Sequence, residues 1–200
     1  MNGRRHALRA AICGPLFLAP ILVLAACAGG SNAVVQGDQA GYHFVSGDKK
    51  GTVVAPDKRA SLKTVTGSLL NGGTFTLSQD LGKVVVVNFW ATWCSPCVTE
   101  TPQFDSMYRS YISKGVTFVG IDTKESSRDA PRAFVKDNDI TYPIVFDEPG
   151  KIATEMGNIP LQGLPTTVLV DKQGRVAAVY LGPLTPKDLE PAVNKLAAET

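Results

Sequence analysis

Residues 83–90 read KVVVVNFW, an almost unbroken apolar run dominated by β-branched valine. A strand with one wet face alternates polar and apolar side chains, so a run without alternation has to be covered on both faces. That requirement points to a sheet enclosed by other layers, and the rest of the chain carries matching signals. Residues 98–114 have the pattern of a helix that Gly115 stops. VTFVGID at 116–122 is a second buried strand, SSRDAPRAFVKDND at 126–139 a helix capped by Ser126 or Ser127, and TYPIVFD at 141–147 a third strand. TTVLVDKQGRVAAVYLG at 166–182 is strand, turn and strand, with Asp171 and Gly174 in the turn. TPKDLEPAVNKLAAE at 185–199 is a closing amphipathic helix; Pro186 suits its first turn, whereas Pro191 predicts a kink or a late start. Upstream, SLKTVTGSLLNGGTFTL at 61–77 reads as a hairpin turning at Asn71-Gly72-Gly73, which tolerates positive φ. The fold class is therefore α/β: a central mixed β-sheet flanked by helices, with an N-terminal β-hairpin extension.

The 200 residues exceed this domain at its N-terminal side. Residues 1–26 read as an export signal, with a positive MNGRRHALR followed by the apolar AAICGPLFLAPILVLAA. Gly14, Pro15 and Pro20 interrupt that stretch, which is shorter than the roughly 20 residues of a spanning helix. LAAC at 24–27 resembles the lipobox of bacterial lipoproteins. The likeness implies that Cys27 is acylated and leads the mature protein, and two acyl chains would hold it durably on the extracytoplasmic face of the cell membrane. Arg4-Arg5 is a weak match to a twin-arginine signal. Residues 27–60 would then be the lipidated cysteine and a flexible tether, rich in Gly, Ser, Asp and Lys with one short strand in GYHFV, and 61–200 the folded domain. Formal net charge is only +2, and Arg4, Arg5 and Arg9 fall in the first nine residues. The remainder lacks the basic face that nucleic acid requires.

Of four cysteines, Cys13 would leave with the signal and Cys27 would carry lipid, so the domain keeps Cys94 and Cys97 in ATWCSPCVTE. A structural zinc needs four ligands. No second pair exists, His6 would leave with the signal and His43 lies in the tether, so no metal is expected. As a staple the pair would contribute little: the chain-entropy estimate is about 2 kcal/mol for so small a loop, against about 4.7 for 100 residues. The redox reading accounts for the neighbours as well. Cys94 would end a strand-to-helix turn, where unpaired N–H groups stabilise a thiolate, and Cys97, one turn on, would be the buried resolving thiol. Pro96 fixes the turn, Trp93 walls the site, and Trp90 reads as packing.

NFWATWCSPC, the downstream Glu100 and Pro102, and GLPTTVLVDKQG are similar to the TlpA/ResA family of membrane-tethered thiol-disulfide oxidoreductases, over residues 61–199. The resemblance implies a thioredoxin-like fold and a cis-proline at Pro165, flanked by Leu164 and Thr166, that faces the dithiol and pairs with a client strand. It also implies an extracytoplasmic enzyme that reduces disulfides of exported proteins, apocytochrome c being the leading client. An integral-membrane thiol carrier of the CcdA or DsbD kind would supply electrons, with no cofactor beyond the dithiol. One departure stands out. The buried acid that thioredoxins carry on the strand before the motif is Asn88 here, and Glu100 is the candidate replacement. If buried, it would have a raised pKa and manage the Cys97 proton.

Three rival functions remain: a peroxiredoxin-like peroxidase, a net oxidant, and a non-catalytic partner-binding lipoprotein with a structural disulfide. Ala91 stands where a peroxidatic cysteine would need Thr or Ser. Asp122 reads as a strand-end turn residue, and Lys124, Arg128 and Arg132 as a solvated helix face.

Overall fold

A computed structural model describes residues 34–36, 43–45, 51–62, 65–157, 159 and 161–200. The signal segment, Cys27 and most of the tether lie outside the described residues. β1 (Val34–Gln36) pairs antiparallel with β2 (His43–Val45). β3 (Thr66–Ser68) and β4 (Thr74–Thr76) form the expected hairpin, and Gly72 and Gly73 take φ of 99° and 88° in its turn. Then follow β5 (Val84–Trp90), α1 (Ser95–Tyr111), β6 (Val116–Thr123), α2 (Asp129–Asp137), β7 (Ile144–Asp147), α3 (Ile152–Glu155), β8 (Thr166–Val170), β9 (Val176–Leu181) and α4 (Pro186–Ala198).

The main sheet has the order β7-β6-β5-β8-β9. β5, β6 and β7 run parallel; β8 and β9 are antiparallel additions. Every residue of β5 is buried, as its composition requires. Val84, Val86 and Trp90 face a core shared with Phe104 and Met107 of α1 and Leu189 and Leu196 of α4, which α2 joins through Phe134. Val85, Val87 and Phe89 face the opposite core, closed by Phe75 of the hairpin, Leu77, and Ile152 and Ala153 of α3. One cover is thus three helices, and the other is a hairpin with a single helical turn. The hairpin is fastened to the sheet edge where the Leu70 N–H donates to Ile144 O at 2.8 Å.

Several elements depart from expectation. Helix α1 starts at Ser95, three residues before the apolar pattern does, because Pro96 in its first turn needs no amide partner. Helix α2 starts at Asp129 with Arg128 in the cap position; Ser127 contributes only a 3.3 Å bond from the Asp129 N–H. Helix α4 is unbroken through Pro191 and opens on a Thr185–Asp188 capping box, so the late start does not occur. Contacts with the sheet begin upstream of Ser61. The Val54 N–H donates to Ala177 O at 2.8 Å, the Val176 N–H donates to Ala60 O at 2.9 Å, and Arg59 is buried between Asp171 and Glu199. Residues 52–60 therefore belong to the folded unit rather than to a tether.

Candidate active site

The β5-to-α1 junction carries the cysteines. Cys94 is the N-cap of the 17-residue α1, and Cys97 lies in its first turn, bonded to Cys94 with an S–S distance of 2.02 Å. Cys94 retains 6% exposure and Cys97 none, so a partner can approach only the first sulfur. At a helix N-terminus the unpaired amides and the macrodipole favour a thiolate at Cys94 once the bond is reduced. Trp93 is 60% exposed beside it, and Trp90 is wholly buried against Phe134.

Glu100 is buried inside the helix–sheet interface, 2% exposed. Its Oε1 accepts from Asn88 Nδ2 at 2.8 Å and its Oε2 from the Leu184 N–H at 2.5 Å. Burial pushes the carboxyl up to about 7, and those two hydrogen bonds pull the other way. Asn88 also donates to Thr167 Oγ1 at 3.1 Å. The two positions singled out in the sequence, the missing acid on β5 and its replacement on α1, are therefore in direct contact.

The Leu164–Pro165 bond is cis. Phe89 of β5 pairs with Thr166, so Pro165 lies beside the end of β5 from which the cysteine loop departs. The Gly182 N–H donates to Pro165 O at 2.9 Å, tying this loop to β9, and Thr166 Oγ1 donates to Gly163 O at 3.0 Å. Pro96 is exposed in the first turn of α1.

Two further acids, Glu125 and Asp122, also lie here. Glu125 is buried; its Oε1 accepts from the Thr92 N–H at 2.6 Å and from Thr92 Oγ1 at 2.5 Å, clamping the loop two residues before Cys94. The 33-residue separation leaves no local signal for that contact. Asp122 is not a turn residue: it is fully buried within β6, opposite Trp90, and neither carboxylate oxygen has a hydrogen-bond partner. Burial, and secondly the Glu125 charge, push it up to about 8, so it holds a proton at neutral pH. The supposed solvated face also divides. Arg128 stacks over Phe146 and donates to Leu69 O, and Arg132 donates to Leu70 O, so both pin the hairpin. Lys124 precedes α2 and is exposed.

Comparison with known proteins gives the same direction. Residues 52–196 match the Redoxin family, beginning where the packed segment begins. Thiol-disulfide oxidoreductase ResA of Bacillus thuringiensis subsp. konkukian is 38% identical over 127 residues, which cover 64% of this chain and 71% of that one. A DsbF homologue from Corynebacterium diphtheriae superposes with a TM-score of 0.70 at 35% identity, covering 78% of this chain and 99% of that one. A secreted thiol-disulfide isomerase from Corynebacterium glutamicum also gives 0.70, at 34% identity, over 79% and 98%. These relatives are named for disulfide chemistry, and this chain presents its own bonded cysteine pair at a thioredoxin-like helix terminus. The chain belongs to the Redoxin family and is a protein thiol-disulfide oxidoreductase.

Proposed function

We propose that the enzyme works outside the cytoplasm as a reductant of disulfides in exported proteins, held at the membrane by lipid on Cys27. The observation that carries this reading is the asymmetry of the pair: an approachable Cys94 on a helix N-terminus and a sealed Cys97. In the reduced enzyme the Cys94 thiolate attacks one client sulfur; the client S–S bond breaks, a Cys94–client bond forms, and the departing client sulfur takes a proton. Cys97 then gives its proton to Glu100 and attacks Cys94, releasing the second client thiol and closing the Cys94–Cys97 bond. Two electrons pass from enzyme to client, and two protons end on the client thiols. A carboxyl near pH 7 is matched to accepting and returning that proton at neutral pH.

Export is supported by the signal-like residues 1–26 and by the secreted C. glutamicum relative. The lipobox at 24–27 supports the anchor. Anchoring would concentrate the domain beside an integral-membrane thiol carrier of the CcdA or DsbD kind, which would restore the dithiol. Apocytochrome c is the client we favour, on the similarity to ResA. The test is a trap. Cys97→Ala leaves Cys94 unable to release its client, so cells making this variant accumulate a mixed disulfide whose partner can be identified by mass spectrometry. Recovery of exported cysteine proteins supports the reading. Absence of any adduct that depends on Cys94 overturns it.

A further inference from the structure

Lys124 follows β6 with φ of 60°, in the left-handed region that residues other than glycine, asparagine and aspartate rarely occupy. Its N–H donates to Asp147 O at 3.2 Å. Its stem lies across Gly150, where an added Cβ would come within 3.2 Å of Lys124 Cγ and Cε and of Thr123 Oγ1. The adjoining turn thus goes without a side chain where the lysine passes. Backbone conformations of this kind persist only when the surroundings enforce them, and they concentrate at sites with a task.

The loop borders a cavity of about 240 Å³ walled by Trp93, Thr123, Lys124, Leu161 and Leu164. One wall is therefore the residue before Cys94, and another is the residue before the cis-proline. Lys124 makes no ion pair among the described residues. Of the acids nearby, Asp147 accepts from the Lys151 and Ile152 amides, Glu125 accepts from Thr92, Asp122 is sealed in the sheet, and Glu148, in the turn that ends at Gly150, is exposed and forms no ion pair with Lys124.

We infer that this cavity is a client side-chain subsite, in which Lys124 selects an acidic residue, glutamate above aspartate, next to the disulfide being exchanged. Trp93, Leu161 and Leu164 would cover the methylenes of a glutamate while the ammonium meets its carboxylate. An exposed charge of this kind acts mainly on partner choice and capture rate, and salt weakens it.

The inference rests on the disulfide-exchange reading, and the experiment separates the two. The full-length chain, reduced beforehand with a small dithiol, is given disulfide peptides that differ at one position beside the cysteine: Glu, Gln or Lys. At low salt kcat/KM should favour the Glu peptide over the Lys peptide by about tenfold, shrinking to about twofold at high salt. Lys124→Glu should invert the order, and Lys124→Gly, which suits the backbone without the charge, should bring the ratio near one. Equal rates on all three peptides overturn the subsite, as does a Lys124→Glu variant that still prefers Glu. Failure to reduce any peptide overturns the exchange reading itself, and the subsite with it.

Discussion

Glu100 ties the chemistry to the stability of the fold. Its carboxyl titrates near 7 in the folded protein and near 4.5 when unperturbed. Between those values the folded state keeps a proton that the unfolded chain has released. The sign follows: the contribution to stability is complete below about pH 4.5 and declines as pH rises to about 7, by on the order of 3 kcal/mol. Above that window it is flat. Glu100→Gln should therefore remove this part of the slope in urea denaturation measured from pH 4 to 8. It should also slow release of the mixed disulfide and flatten the pH dependence of that step, and an unaltered profile would take Glu100 out of the mechanism. Asp122 supplies a second descent of the same sign reaching about pH 8. The upper end of the slope should therefore survive in Glu100→Gln.

At the scale of elements, β6 leaves out a side chain at Gly120 because the side chains of Ile144 on β7 and Trp90 on β5 fill the space over it. A Cβ on Gly120 would stand 2.6 Å from Ile144 Cδ1 and 3.0 Å from Trp90 Nε1. Gly120→Ala should destabilise the domain by about 1–3 kcal/mol through overpacking, read as a lowered urea midpoint at unchanged slope. The main strands were legible in the sequence because valine-rich runs between turn residues can satisfy their faces in only one way. The β3–β4 hairpin was legible from its Asn-Gly-Gly turn, and the redox pair from its two-residue spacing. Other features were not. The start of α1 was misread because the apolar pattern sets in only after the cap, and α3 is too short to show a period. Asp122 looked like a strand end because a carboxylate in an apolar run is ordinarily a boundary. Glu125 and Leu184 reach the site only through tertiary contacts with Thr92 and Glu100.

At the scale of the molecule, Arg59 joins three distant parts of the chain. Its Nη1 donates to Asp171 at 3.0 Å and its Nη2 to Glu199 Oε1 at 2.7 Å, while Nε donates to Val54 O at 2.8 Å. Without Arg59, Asp171 keeps its 2.7 Å ion pair with Arg175, whereas Glu199, whose side chain is 26% exposed, and Val54 O lose theirs. Arg59→Ala should therefore cost about 1.5–3 kcal/mol in chemical denaturation, and a fragment beginning at Ser61 should be similarly weakened. The network lies beyond the Val170 end of β8, whereas Thr166, at the other end of that strand, adjoins the cysteine loop. The last turn of α4 thus finishes at the pole opposite the disulfide. A label, a surface linkage or a fused domain attached after Glu199 departs from that far pole, leaving the reactive sulfur unobstructed.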